Sequence, residues 1–107
     1  MANTRRTNRG QGMDTNMKER LDTLNQIELV YQGNKVKYRC IYDPLMQHIE
    51  MHFIYTDPDS NLIIKDKYLY DTDDFIKDWT GCHRDASKRF AQKCDMSFLN
   101  NCEEIEI

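Results

Sequence analysis

The feature of this 107-residue sequence that most constrains its fold is an alternation of apolar and polar residues through its central part. The alternation recurs in four segments, at about 27–31, 36–42, 48–55 and 62–70. Successive side chains of a strand point to opposite faces, so a period of two predicts β-strands that are buried on one side only. Four such strands in a row predict a single half-covered sheet.

Turn-forming residues separate the four segments. Gly33 and Asn34 predict a tight hairpin turn between the first two strands. Pro44 ends the second strand, because proline has no N–H to donate to a strand ladder. The run 57–61, DPDSN, predicts the turn before the fourth strand. These short connections favour antiparallel pairing throughout.

Helical periodicity flanks the strands on both sides. Apolar residues at Met13, Met17, Leu21 and Leu24 predict a short helix over about 16–25. A longer apolar stripe predicts a second helix that opens at Asp71 or Thr72: Phe75, Trp79, Cys82, Ala86, Phe90 and Cys94. Gly81 predicts a kink or break near 80–83, and the acidic tail after Asp95 is expected to fray or to add a short strand.

This order of elements predicts an α+β domain: a four-stranded antiparallel sheet with a short N-terminal helix and a long C-terminal helix packed on one face. Residues 1–12 contain three arginines, two glycines and no acid, which predicts a flexible basic arm ahead of a single domain at 13–107. The net charge of −3 then divides into an arm of +3 and a body of −6, with 12 basic and 18 acidic residues.

Strand parity predicts that the uncovered sheet face is cationic, although the body as a whole is acidic. We therefore expect a small binding protein that engages a polyanion, either a nucleic acid or an acidic protein surface. The residues expected to bind are Arg5, Arg6, Arg9, Lys35, Lys37, Arg39, His48, His52, Lys65 and Lys67. The competing interpretation is a solvated face whose lysines prevent pairing between sheet edges.

The acidic residues of the body support a second hypothesis. A small acidic inhibitor, of the kind that phages and toxin-immunity pairs use, would dock on a basic cleft of a partner enzyme. Its working residues would be Asp71, Asp73, Asp74 and Asp78, or Glu103, Glu104 and Glu106. Helix capping and a solvated tail would explain the same residues without a partner.

The sequence offers little that could carry catalysis or hold a metal. It contains no glycine-rich phosphate loop and no G-x-S-x-G motif, so we expect no enzyme. His48, Glu50 and His52 share one strand face but would extend over about 13 Å, so a single ion could reach all of them only with help from a second strand. We therefore expect no metal and no other cofactor.

The cysteines and the apolar content indicate the cellular setting. Cys40, Cys82, Cys94 and Cys102 show none of the close spacing of zinc modules, and no signal peptide precedes them, so we expect reduced thiols in the cytoplasm. No apolar run approaches the length of a membrane span, so no membrane partner is expected. An uncovered sheet edge predicts that a homodimer could form.

Overall fold

A computed structural model describes the backbone of residues 15–106 and the side chains of 16–99. The predicted basic arm, with Arg5, Arg6 and Arg9, lies outside the described residues. The elements in chain order are α1 (Thr15–Asn25), β1 (Leu29–Tyr31), β2 (Asn34–Asp43), β3 (His48–Thr56), β4 (Ile63–Asp71), α2 (Thr72–Lys77) and α3 (Trp79–Glu106). The strands form one antiparallel sheet in the order β1-β2-β3-β4, which confirms the predicted α+β fold.

The hairpin between β1 and β2 turns one residue earlier than predicted. Tyr31 pairs with Asn34, so the two loop residues are Gln32 and Gly33, whose φ angles are 50° and 81°. Positive φ at both loop positions is typical of the type I′ turn, which matches the strand twist, and glycine tolerates it without strain. Asn34 instead begins β2, and its amide donates to the Tyr55 hydroxyl at 3.1 Å.

The core lies on one face of the sheet, under the three helices. The side chains of β3 that the alternation predicts to point inward are all buried: Ile49, Met51, Phe53 and Tyr55. Their buried partners are Met17, Leu21 and Leu24 from α1, Val36 and Cys40 from β2, Ile64 from β4, Phe75 from α2, and Ala86, Phe90 and Cys94 from α3. Phe53 stacks on Phe90 with ring centroids 5.0 Å apart. The helices therefore cover one face and leave the other uncovered.

The C-terminal helix is interrupted at Asp78, ahead of the predicted region 80–83. Asp78 leaves helical geometry at φ −153°, and its carboxylate accepts the backbone N–H of Gly81 at 3.1 Å, which caps α3. A Cβ at position 81 would lie 2.1 Å from Asp78 Oδ2, so glycine is needed for this close approach. The expected fraying or strand after Asp95 was wrong, because α3 continues to Glu106.

Asn25, the last residue of α1, completes an edge of the sheet that β1 is too short to cover. Its Nδ2 donates to the Cys40 carbonyl at 2.8 Å, and its Oδ1 accepts the Cys40 N–H at 2.7 Å. The pairing of β1 with β2 ends at Leu29 and Val36. Further along β2, the side-chain amide takes the place of a neighbouring backbone, which leaves both polar groups of Cys40 bonded.

Polar pairs attach α3 to the covered face of the sheet. Four of them are Tyr31–Asp95, Tyr38–His83, Asp66–Lys93 and Tyr70–Asp85. Burial and the nearby Arg84 lower the pKa of His83, which favours a neutral ring. Within the described residues, no helix has both the length and the apolar character that crossing a membrane requires.

Candidate functional site

The uncovered face of the sheet, here called the open face, is organised in rows by the strand register. Each row takes one residue from β2, one from β3 and one from β4, because antiparallel register aligns these positions across the sheet. The four rows are Lys37–Ile54–Lys65, Arg39–His52–Lys67, Ile41–Glu50–Leu69 and Asp43–His48–Asp71. None of these side chains is buried, which agrees with helices that pack only on the opposite face.

The first two rows form the basic end of the open face, defined as Lys37, Arg39, Lys65 and Lys67 around Ile54 and His52. All four cations are exposed, and no described carboxylate lies within 4.0 Å of their charged groups. The β2 and β4 cations stand about 10 Å apart, on either side of β3, because neighbouring strands are about 4.8 Å apart. Four uncompensated positive charges are thus concentrated in a small area.

Shallow depressions run along both sides of β3 within this basic end. Lys37, Arg39, His52 and Ile54 help to line the first, and Lys65 and Lys67 line the second together with the same His52 and Ile54. Lys35 lies next along β2 on the same face, opposite Val30 of β1, and is also exposed. The structure therefore brings together every lysine and arginine that strand parity placed on this face.

The last two rows have a different character. Glu50 lies between Ile41 and Leu69, and its side chain is only 13% exposed. It joins Asp43, His48 and Asp71 to form what we call the histidine–carboxylate end of the open face. Strand parity groups His48 with the cations, but the structure places it among carboxylates, one row beyond Glu50.

Glu50 bridges the two histidines of β3. His48 Nε2 lies 2.8 Å from Glu50 Oε2, and His52 Nε2 lies 2.9 Å from Glu50 Oε1. An ionised carboxylate only accepts hydrogen bonds, so we assign a hydrogen to Nε2 of each ring. These two hydrogen bonds, with a smaller contribution from the charge of Lys67, lower the pKa of the Glu50 carboxyl.

The acidic residues of the second hypothesis lie around the start of the C-terminal helices. Asp71 occupies the N-cap position of α2, and Asp73 and Asp74 are exposed in its first turn. The positive end of the helix dipole stabilises carboxylates there. Asp78 caps α3 as described above. The side chains of Glu103, Glu104 and Glu106 lie outside the described residues.

The described thiols are poorly suited to nucleophilic chemistry. Cys40, Cys82 and Cys94 are free, and Cys40 and Cys94 are fully buried. Burial raises the pKa of Cys40 to about 12 and that of Cys94 to about 11, so both stay protonated near neutral pH. These side chains serve as small apolar groups in the core.

Comparison of the chain with protein-family models, curated proteins and solved structures found no match in any of the three. The fold and the open face therefore define the class: a small α+β protein with one uncovered, charge-segregated sheet face.

Proposed function

We propose that this protein is a non-enzymatic binding protein that engages a polyanion, a nucleic acid or an acidic protein surface, through the basic end of the open face. The observation that carries the proposal is the set of four exposed cations, two on each side of β3, with no described carboxylate in ion-pair distance. Lys35 extends this surface along β2, and Arg5, Arg6 and Arg9 would add charge from the N-terminal segment.

The density of unpaired cations, four in two adjacent rows, supports a role for the basic end. On α3, Lys93 pairs with Asp66 at 3.3 Å and Arg89 pairs with Asp85 at 3.2 Å, whereas Arg84 and Lys88 have no described carboxylate within 4.0 Å. Unpaired cations side by side repel one another, and an incoming row of phosphates or carboxylates would relieve that repulsion. A protein with an acidic body can bind a polyanion in this way because the charge is local.

The chemistry of the rows favours contact with a charged backbone over contact with bases. The four rows contain no Phe, Tyr or Trp, and the exposed His52 ring is hydrogen-bonded to Glu50, so the face offers little surface on which bases could stack. Aliphatic Ile54 and Ile41 lie among the charges instead. A nucleic acid would be held through its phosphates with little sequence preference and strong salt dependence.

The test is the salt dependence of binding, measured by fluorescence anisotropy with labelled single- and double-stranded oligonucleotides and with poly-glutamate. We expect the K37E/R39E variant to bind much more weakly than the wild type. Each lost phosphate contact should lower the slope of log affinity against log salt by about 0.7–0.9. The matched control is R84E/K88E, which reverses one arginine and one lysine on exposed positions of α3.

Two outcomes would refute the proposal. One is binding without salt dependence, and the other is an equal loss of affinity in K37E/R39E and R84E/K88E. Circular dichroism and thermal unfolding of both variants separate a lost contact from a lost fold. Oligonucleotide binding together with weak poly-glutamate binding identifies nucleic acid as the partner, and the reverse identifies an acidic protein.

The acidic-inhibitor hypothesis has weaker support, because the Asp78 carboxylate is used to cap α3 and Asp73 and Asp74 lie in the first turn of α2, where the helix dipole favours carboxylates. The exposure of Asp71, Asp73 and Asp74 is what favours it. A pull-down from the native host before and after nuclease treatment distinguishes the two hypotheses. One stoichiometric protein retained after nuclease and lost in D73N/D74N would favour the inhibitor. We place either activity in the cytoplasm, where the free thiols would stay reduced.

A further inference from the structure

The histidine–carboxylate end holds a cluster of ligand atoms that polyanion binding does not use. His48 Nε2 lies 2.8 Å from Glu50 Oε2 and 3.8 Å from Asp43 Oδ2. The three ligand atoms all lie within 4.8 Å of one another. Asp43 reaches the cluster from β2 because it is the register partner of His48 on β3. A second strand therefore contributes to the cluster, as the H-x-E-x-H spacing requires. Asp43 of β2 provides the third ligand atom in place of His52.

In both Asp43 and Glu50, one carboxylate oxygen accepts hydrogen bonds from neighbouring groups and the other oxygen faces His48. Asp43 Oδ1 accepts the backbone N–H groups of Leu45 at 3.0 Å and Met46 at 3.3 Å, in the turn that follows β2. Glu50 Oε1 accepts from His52 Nε2 at 2.9 Å. Hydrogen bonds of this kind orient the carboxylates and histidines of metal sites. The two remaining oxygens and the imidazole nitrogen are thus positioned before any ligand arrives.

The charges in the cluster are not balanced by its own hydrogen bonds. His48 Nε2 carries a single hydrogen, which Glu50 Oε2 accepts at 2.8 Å. Asp43 Oδ2 lies 3.8 Å from the same nitrogen, too far to accept a hydrogen bond from it. The side chains of Asp43, His48 and Glu50 are only 29%, 17% and 13% exposed, so water compensates these charges less well than on an open surface. A cation at the centre would satisfy all three groups.

We propose that Asp43 Oδ2, His48 Nε2 and Glu50 Oε2 bind a divalent transition-metal ion such as Zn²⁺. Zinc bonds of about 2.0–2.2 Å in tetrahedral geometry place ligand atoms about 3.4 Å apart, and the distances of 2.8 and 3.8 Å lie on either side of that value. Asp71 is the register partner of His48 on β4 and lies in the same row.

The donor set selects the class of metal. Imidazole with carboxylates suits zinc, nickel, copper and manganese, whereas Mg²⁺ and Ca²⁺ prefer six or more oxygen ligands. Binding requires His48 Nε2 to give up its hydrogen. A neutral ring does so by moving the hydrogen to Nδ1, and a charged ring releases one proton to solvent. Affinity is therefore expected to fall in acid.

The experiment is calorimetric titration of the full chain with ZnCl₂, in a C82S/C102S background that removes two competing thiols and keeps the buried Cys40 and Cys94. We expect one ion per chain, and no heat from MgCl₂ or CaCl₂. H48Q and D43N should each weaken Zn²⁺ binding by more than about 100-fold, which exceeds the loss usual for a residue that only orients a ligand. D43N keeps Oδ1, which accepts the backbone N–H groups of Leu45 and Met46, and replaces Oδ2 with an amide nitrogen. It therefore removes the metal ligand and preserves the turn after β2.

Two further variants complete the test. H83Q changes a histidine that bonds Tyr38 on the covered face, so Zn²⁺ binding should be unchanged. H52Q should weaken binding by about 10-fold, because His52 only orients Glu50. Absence of Zn²⁺ binding at micromolar protein, or equal affinity in H48Q and H83Q, overturns the proposal. Oligonucleotide binding measured in EDTA is independent of this result, so the two proposals fail separately.

Discussion

The two ends of the open face use the same three strands and the same strand parity, yet they handle charge in opposite ways. At the basic end, Lys37, Arg39, Lys65 and Lys67 are exposed and have no described carboxylate in ion-pair distance. At the histidine–carboxylate end Asp43, His48 and Glu50 are half-buried, and Glu50 accepts from two histidines. The two ends are therefore distinguished by the position of each charge along the strands, which the net charge of the face does not describe.

Comparing the ends also shows which groups are available to a partner. Charges without a close partner of opposite sign gain most from a new contact: these are the cations of the basic end and, at the other end, the Asp43 oxygen that lies 3.8 Å from His48. The basic end is the better candidate for a large anionic partner, and the other end for a small cation.

The largest effect is expected from the core beneath the basic end. Phe53 is 1% exposed and its neighbour Ile54, on the open face, is 38% exposed. F53A should lower the free energy of unfolding by about 3–5 kcal/mol, because it removes the ring that stacks on Phe90 and leaves a cavity. I54A should cost less than about 1 kcal/mol. Urea denaturation of both variants measures the difference, and equal costs would mean that the open face is covered in solution, as in a homodimer.

A smaller effect is expected where α1 supports β2 at the boundary of the two ends. Asn25 bonds both backbone groups of Cys40, which lies between Arg39 of the basic end and Ile41 of the next row. N25A leaves a buried N–H and C=O without partners and should cost about 1–3 kcal/mol in urea denaturation. The neighbouring exposed Gln26 provides the control, and Q26A should change stability by less than about 0.5 kcal/mol. Similar costs in N25A and Q26A would show that the edge of β2 finds water or another partner.

The smallest effect concerns pH at the histidine–carboxylate end. The lowered pKa of Glu50 means that its ionised form stabilises the folded state above the ordinary glutamate pKa. That contribution disappears as the pH falls through the lowered value. The unfolding free energies of wild type and E50Q should therefore differ at pH 7 and converge below about pH 4. E28Q, at an exposed position before β1, should follow the wild type across the range. A wild-type to E50Q difference that is constant with pH would contradict the hydrogen-bonded arrangement.

Strand alternation was sufficient to predict the fold and the cationic residues of the open face. Parity follows from sequence because side chains alternate regardless of which strands pair. The register does not follow from it, and only the register places Asp43 and Asp71 beside His48. The two ends of the face could therefore not be distinguished from the sequence.

Other features escaped prediction because they depend on tertiary contact. Nothing in the sequence indicates that the Asn25 side-chain amide bonds the backbone of Cys40 in place of a neighbouring strand. The helix break falls at Asp78 because that side chain caps α3, and Gly81 serves to let it approach. A D-x-x-G pattern at a helix start is the local signal that could have indicated this cap.

The most direct test of the central claim is a ¹H–¹⁵N NMR titration of the full chain with a single-stranded oligonucleotide at low salt. Binding at the basic end predicts amide shifts that concentrate in 35–39, 52–54 and 65–67, reverse on addition of salt and leave 43–48 and α2 unchanged. Shifts that concentrate on α2 or on the exposed surface of α3, with the rows of the basic end unaffected, would contradict it.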